Sequence, residues 1–289
     1  MAEAPVTMPT GVRADRVSHA QRVGLGLSGY VMIARMWVRA SLAYRTSFVL
    51  LSLSQLVVTG MDFLVILILF SHTDALGGLR APEVFFIYGS SAVALGIADM
   101  LAGSLEAVGQ RIRDGSLDSM LVRPIPVLAQ VAADQFALRR IGRITQALVV
   151  MVIAIVVAPI DWTLAKGVLV VLMVFAGSGI FGAVFLLGGC FQFVAGDAAE
   201  VSNAFTYGGD ALAQLPWTIY PKELLRAAVF VLPLAFINWV PVAWILGRPL
   251  PLGMPPFMAW SSPVVSAGFL GVAGLLWRIA LRSYRSTGS

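Results

Sequence analysis

The sequence predicts an all-α membrane protein with six transmembrane helices, and three observations carry that prediction. Of 289 residues, 58% are hydrophobic and only 12% charged, with a mean hydropathy of +0.86, far outside the soluble range. The apolar residues gather into six segments, most of them long enough to cross a bilayer at about 1.5 Å per residue. The arginines are divided unevenly between the connecting loops, which sets an orientation. Spans of about 20 residues each nearly use up the chain and leave no separate catalytic domain.

The N-terminal stretch carries Arg13, Arg16, Arg22, Arg35, Arg39 and Arg45 and no early apolar run, so no cleavable signal peptide is expected and the mature chain is expected to start near Met1. From Ser28 to Arg45 the pattern is helical. Ile33, Met36, Trp37, Ala40 and Tyr44 share one face, and Ser28, Arg35 and Arg39 share the other. Such a helix lies along the cytoplasmic membrane surface, with Arg35, Trp37 and Arg39 as its interfacial residues, or else simply extends the first span.

The spans are expected at Ser47–Phe70, Val84–Leu105, Ile144–Ile160, Gly167–Phe193, Leu224–Leu246 and Met258–Leu281. With the N-terminus inside, six arginines precede the first span, six more lie from Arg111 to Arg143, and Arg278, Arg282 and Arg285 close the chain on the same side. Outside lie Arg80, Lys166 and Arg248, with Lys222 and Arg226 undecided. The asymmetry puts both termini in the cytoplasm. The fifth crossing has two readings. Asp197–Pro216 is weakly apolar and carries Glu200, Asn203 and Asp210, whereas the next stretch is apolar but broken by Pro221, Pro233 and Pro241. Either Leu224–Leu246 crosses, or Ala198–Leu215 crosses and the proline-rich piece is a re-entrant hairpin.

Between spans two and three sits a polar island, RIRDGSLDSMLVRPIP, from Arg111 to Pro126. Asp114 and Gly115 signal a turn, Ser116 is a good N-cap, and Pro124 ends the helix that follows. Leu117, Met120 and Leu121 fall at i, i+3 and i+4, giving a short cytoplasmic helix one apolar face flanked by Arg111, Arg113, Asp118 and Arg123. That face fits a groove on a partner protein, or rests on the bilayer or the protein's own helix ends.

Several chemistries are excluded. The two lysines, Lys166 and Lys222, do not belong to a G-x-x-x-x-G-K-[ST] loop. A literal G-x-G-x-x-G at Gly24, Gly26 and Gly29 follows Arg22 and Val23 rather than a buried strand, so dinucleotide binding is rejected. His19 and His72 are isolated, and Cys190, the single cysteine, is read as a packing residue. No metal site or cofactor is expected on the chain. The arginines are dispersed rather than gathered on one polar face, which argues against nucleic acid.

The run DGSLDSMLVRPIPVLAQVAADQFALRRIGRITQA, together with YPKELLRAAVFVLPLAFINWVPVAWILGRP, resembles the ABC-2 family of ABC-transporter permeases. It resembles in particular a bacterial subfamily with a G-x-L-D-x-x-L-x-R-P signature, met here by Gly115, Leu117, Asp118, Leu121, Arg123 and Pro124. The resemblance runs from about residue 28 onward. It implies a half-transporter of the bacterial cytoplasmic membrane with an N-terminal interfacial helix and a re-entrant hairpin before span six. It further implies that Asp114, Gly115, Ser116, Leu117, Asp118, Met120, Leu121, Arg123 and Pro124 form a coupling helix seated in a separate ATPase subunit, present in two copies and carrying Mg-ATP. A second permease chain, identical or related, completes the complex. The implied division is a cytoplasmic N-terminus (1–27), an interfacial helix (28–45), one transmembrane domain (46–282) and a cytoplasmic tail (283–289). The function implied is ATP-driven export of a hydrophobic or amphipathic compound; the alternative is an ATP-independent carrier or channel subunit, although the internal repeat typical of carriers is not seen.

Pathway residues are less defined. Asp62 lies in the outer half of span one, where a carboxylate is costly unless paired or hydrated, so it either attracts a cationic or amphipathic substrate or bonds to another helix. Trp217 and Trp239, with Tyr220 and Trp244, are interface anchors or contacts for an apolar substrate. Asp99 and Glu106 are expected to pair with arginines, and the glycines of span four to allow close helix packing.

Overall fold

A computed structural model describes residues 19–284 apart from Ala137 and Asp197, and all of its regular elements among those residues are helices. The predicted N-terminal segment before His19 and the tail after Tyr284 lie outside the described residues. Helix α1 (His19–Ala43) starts nine residues earlier than its apolar pattern indicated and leads into α2 (Arg45–His72). Then follow α3 (Ala81–Ala102), the short helices α4 (Val108–Arg113), α5 (Ser116–Leu121) and α6 (Val127–Ala133), and the long pair α7 (Ile141–Val157) and α8 (Leu164–Ala195). The chain closes with α9 (Ala199–Ala213), α10 (Lys222–Phe230), α11 (Trp239–Ile245) and α12 (Ser262–Ser283).

Among the described residues, four helices are long and apolar enough to cross a membrane: α2, α3 with its continuation through Arg113, α8 and α12. Helix α7 is apolar but has only 17 residues, about 25 Å of rise. The chain is a multi-pass membrane protein. Burial divides the long helices into two kinds, because the apolar window of α3 is 78% buried and that of α2 only 11%. α3 is therefore the central post, and α2 presents its leucines outward. Local chemistry sets the ends of α3 and α8. Pro82 opens α3, whose Glu83 carboxylate accepts the Arg80 N–H at 2.7 Å, and the Thr163 hydroxyl caps α8 by accepting the Lys166 N–H at 3.3 Å.

Side-chain pairings give the direction of each helix. Gly89 meets Met151 and Gly96 meets Ile144, so α7 runs antiparallel to α3. At Gly89 the backbones themselves come close: a Cβ there would lie 2.8 Å from Met151 backbone atoms. Gly177 faces Ala94, and the Gly109 N–H donates to Gln192 Oε1 at 2.6 Å, so α8 runs parallel to α3. Gly188 sits on Ser202 and Phe185 stacks edge-on with Tyr207, which makes α9 antiparallel to α8. α12 runs with α8, as Gly179 meets Ser266 and Gly189 meets Trp277. The close packing expected of the span-four glycines is present at these positions, while Gly182 faces open space.

The region Asp197–Leu246 follows from the same geometry. α9 begins beside the α4–α8 junction, and the turn after it reaches the α2–α3 connection, where Thr218 Oγ1 donates to the Gly77 carbonyl at 2.7 Å. The proline-rich stretch is not one straight helix. α10 and the segment Leu234–Ile245 meet at 81°. Phe230 and Val231 at the bend are exposed, and the chain turns inward just after it, with Leu234 against Gly209 and the Asn238 amide donating to the Ile87 and Ala213 carbonyls at 2.9 and 2.8 Å. Arg248 then returns to Gly78 and Glu83, at the end from which the hairpin set out.

Candidate functional site

The polar island folds into a braced turn at the end of the molecule opposite the Gly77–Arg248 contacts. α4 stops at Arg113, and Gly115 adopts a left-handed conformation at φ 71°, which a side chain would resist. The N-cap of the next helix is Gly115, not Ser116, and the Asp114 carboxylate just before it accepts the Ser116 backbone N–H at 3.0 Å and the Ser116 hydroxyl at 2.6 Å. Those two bonds hold the exposed Asp114 carboxyl below its ordinary range. Ser116 is thus the first residue of α5, a one-residue shift from the N-cap read in the sequence.

The apolar face of α5 is split. Leu117 is fully buried and Met120 nearly so, and both pack into the protein's own core. Leu121 is 41% exposed and the adjacent Val122 85% exposed. The outward tip therefore consists of Arg113, Asp114, Ser119, Leu121, Val122, Arg123 and Pro124, with apolar groups between charges. Val122 escaped the periodicity argument because it stands beyond the last helical turn; its position just before an exposed Arg-Pro pair was the signal available.

Four neighbours hold this turn. The Gln130 amide of α6 donates to the Met120 carbonyl at 2.8 Å and to the Ile125 carbonyl at 2.7 Å, tying both ends of the turn together. Arg111 pairs with Asp134 across the same loop. α1 packs on α6, with Gly29 seated on Ile125 and Gly26 against Pro126, so two glycines of the literal G-x-G-x-x-G serve close contact. Tyr284, just past α12, lies beside Asp118; burial first and that carboxylate second push its phenol above the ordinary value.

The other predicted residues are scattered. Asp62 is exposed on α2, three residues after Thr59 and four before Ile66, both of which are buried, so it borders the packed face. Trp217 and Trp239 are 5% and 1% exposed; Trp239 Nε1 donates to the Leu215 carbonyl at 3.0 Å and its ring tilts against Tyr220. Within one chain these tryptophans are core side chains. On α1, Arg35 and Arg39 are exposed, while Trp37 is half-buried with its indole nitrogen unpartnered among the described residues. The face of α1 turned toward the protein includes Tyr30, Ala34 and Trp37, whereas Met36 points outward.

A second polar centre lies between α3, α7 and α9. Asp210 Oδ2 is 3.0 Å from Arg143 Nη2 and accepts from Gln214 at 2.8 Å, while its other oxygen accepts from Ser91 at 2.7 Å. The Arg143 guanidinium also lies 5.9 Å from the Tyr207 ring centroid. One layer away Asp99 pairs with Arg140 at 2.9 Å, as expected, whereas a buried oxygen of Glu106 has no hydrogen-bond partner among the described residues. Asp210 was legible only as a residue that lowered hydropathy, since its partner comes from another helix. No group of metal-ligating side chains occurs among the described residues.

A family profile described as ABC-2 family transporter protein matches residues 56–288. No curated protein and no solved structure matches the sequence. The matched region contains every helix from the middle of α2 onward, including the braced turn and the bent pair α10–α11, and on that match the chain belongs to the ABC-2 transporter family.

Proposed function

We propose that this chain is the permease half of an ATP-driven exporter, coupled to a separate ATPase subunit through the tip Arg113–Pro124. The observation that carries the reading is the contrast along α5 and its C-cap: Leu117 and Met120 anchor the turn internally, while Leu121 and Val122 stand exposed between charged residues. A turn built this way moves as a unit with the helices that brace it. Its small apolar and charged tip suits a groove on a partner.

The topology that accompanies this reading has six crossings, α2, α3, α7, α8, α9 and α12, with α10–α11 dipping in and out on the outer side. It is supported by the alternation of direction along the bundle and by the arginine-rich loops at one end. Both termini then face the cytoplasm of a bacterial cell membrane. The outward-facing apolar surface of α2 leaves room for a second permease chain, identical or related. ATP, with Mg, belongs to the two ATPase subunits, and their closure would tilt the permease halves about the interface between them. The cargo class that suits so apolar an environment is hydrophobic or amphipathic.

Co-purification tests the reading. The solubilised protein is expected to retain an ATPase carrying a phosphate loop, and Leu121→Asp with Val122→Asp is expected to release it while the permease stays in the membrane. Retention of the same ATPase by the double variant would refute the assignment of the tip.

A further inference from the structure

We propose that the cleft between α1 and the inner end of α3 binds one anionic phospholipid, whose phosphate is held by Arg35 and Arg39. The cleft has a volume of about 410 Å³, and its walls include Tyr30, Val38, Leu101 and Phe136, with the two arginines at the rim. Its floor is chemically apolar. The Tyr30 hydroxyl is already used, donating to the Leu101 carbonyl at 2.9 Å, and burial pushes that phenol up to about 12, so it carries no charge at ordinary pH.

The rim is the opposite. Arg35 and Arg39 are both exposed, and neither has an ion pair or hydrogen bond among the described residues. Their i, i+4 spacing brings their Cβ atoms to about 6 Å, so both guanidinium groups can reach one phosphate. Around them the outer surface of α1 is apolar, with Leu27, Met32 and Met36 each about 60% exposed. A helix that is both oily and basic on its outer side belongs at headgroup depth. An apolar cleft under a cationic rim at that depth matches an acyl chain below a phosphate, and the net negative charge of an anionic lipid suits two exposed arginines better than a zwitterionic headgroup does. A free phosphate would leave the apolar floor empty.

The site rests on the proposed topology, which puts this end of α3 at the cytoplasmic leaflet. Its consequence is mechanical: the lipid would glue α1, which already clamps the braced turn at Ile125 and Pro126, to the end of α3.

The test uses the full chain in nanodiscs of equal phosphatidylglycerol and phosphatidylcholine with matched acyl chains, released into the gas phase for native mass spectrometry. The unsubstituted protein is expected to retain phosphatidylglycerol preferentially. Arg35→Gln with Arg39→Gln should cut that preference roughly 30-fold, the effect of two charges at about 1 kcal/mol each. Arg35→Lys with Arg39→Lys should keep most of it. Equal retention of the two lipids by the unsubstituted protein would overturn the proposal. So would an unchanged preference in the glutamine variant, or an equal loss from Arg278→Gln with Arg282→Gln on α12, which would mean diffuse attraction only. No ATPase takes part in this measurement, so its failure is distinct from failure of the coupling reading.

Discussion

Replacing Asp210 by leucine removes the carboxylate that α9 presents to Arg143, and the geometry sets the size of the penalty. The Asp210 side chain is 3% exposed and that of Arg143 11%, so no solvent route replaces the lost partner. A buried charge left unpaired costs about 3–5 kcal/mol. Ser91 and Gln214 also lose their acceptor, adding about 1 kcal/mol each. A loss of about 5–7 kcal/mol corresponds to at least about 10 °C in the unfolding midpoint for a chain of this size, read at fixed scan rate in detergent. Arg143→Met combined with Asp210→Leu removes both charges at once and is expected to be less destabilised than Asp210→Leu alone. The reasoning fails if Asp210→Leu shifts the midpoint by less than about 2 °C, or if the double variant loses the sum of the two single effects.

Three further expectations follow from packing. Leu117→Ala should cost about 2–5 kcal/mol, because Leu117 is wholly buried, whereas Leu121→Ala should leave the midpoint within about 1 kcal/mol; melting curves of the two variants make the comparison. Gly89→Ala should lower stability by about 1–3 kcal/mol, since its new Cβ meets Met151 backbone that cannot rotate away, while Gly182→Ala, in open space, should be neutral or slightly stabilising in the same assay. Gln130→Leu should free the Met120 and Ile125 carbonyls and loosen the turn, seen as faster amide hydrogen exchange across α5 with little change in α8.

The long helices were legible because their signal is local. Apolar runs of bilayer length needed no knowledge of neighbours, and α2, α3, α7, α8 and α12 lie within a few residues of the expected spans. α9 was ambiguous for the opposite reason. Asp210 reads as a polar defect until Arg143, 67 residues earlier, is placed beside it. The inward turn of Leu117 and Met120 was similarly hidden. Helical spacing shows that residues share a face but not what covers it, and here α4 and α6, which flank α5 in sequence, are its neighbours. The contact of α1 with the turn was hidden for the same reason, since its glycines look unsuited to a packed face until Ile125 and Pro126 arrive beneath them.

The bracing of the turn bears on how force would travel under the proposed function. A coupling element joined to the rest of the permease by one flexible linker would absorb displacement locally. This one is tied to α6 through Gln130, to α8 through the preceding helix α4, where the Gly109 N–H donates to Gln192, and to α1 through the Gly29–Ile125 contact. Displacing the tip therefore displaces the inner ends of α3 and α8 together, and the glycine contacts between the long helices leave little room for bending to dissipate the motion. The element most free to respond is α2, whose apolar window is mostly outside the packed core of one chain. Motion entering at Leu121 and Val122 should thus emerge as rigid displacement of the α3–α7–α8–α9 core relative to α2. Spin labels on Val65 of α2 and Leu101 of α3 should change separation when ATP is added to the assembled complex; a distance unaltered by ATP would place the moving interface elsewhere.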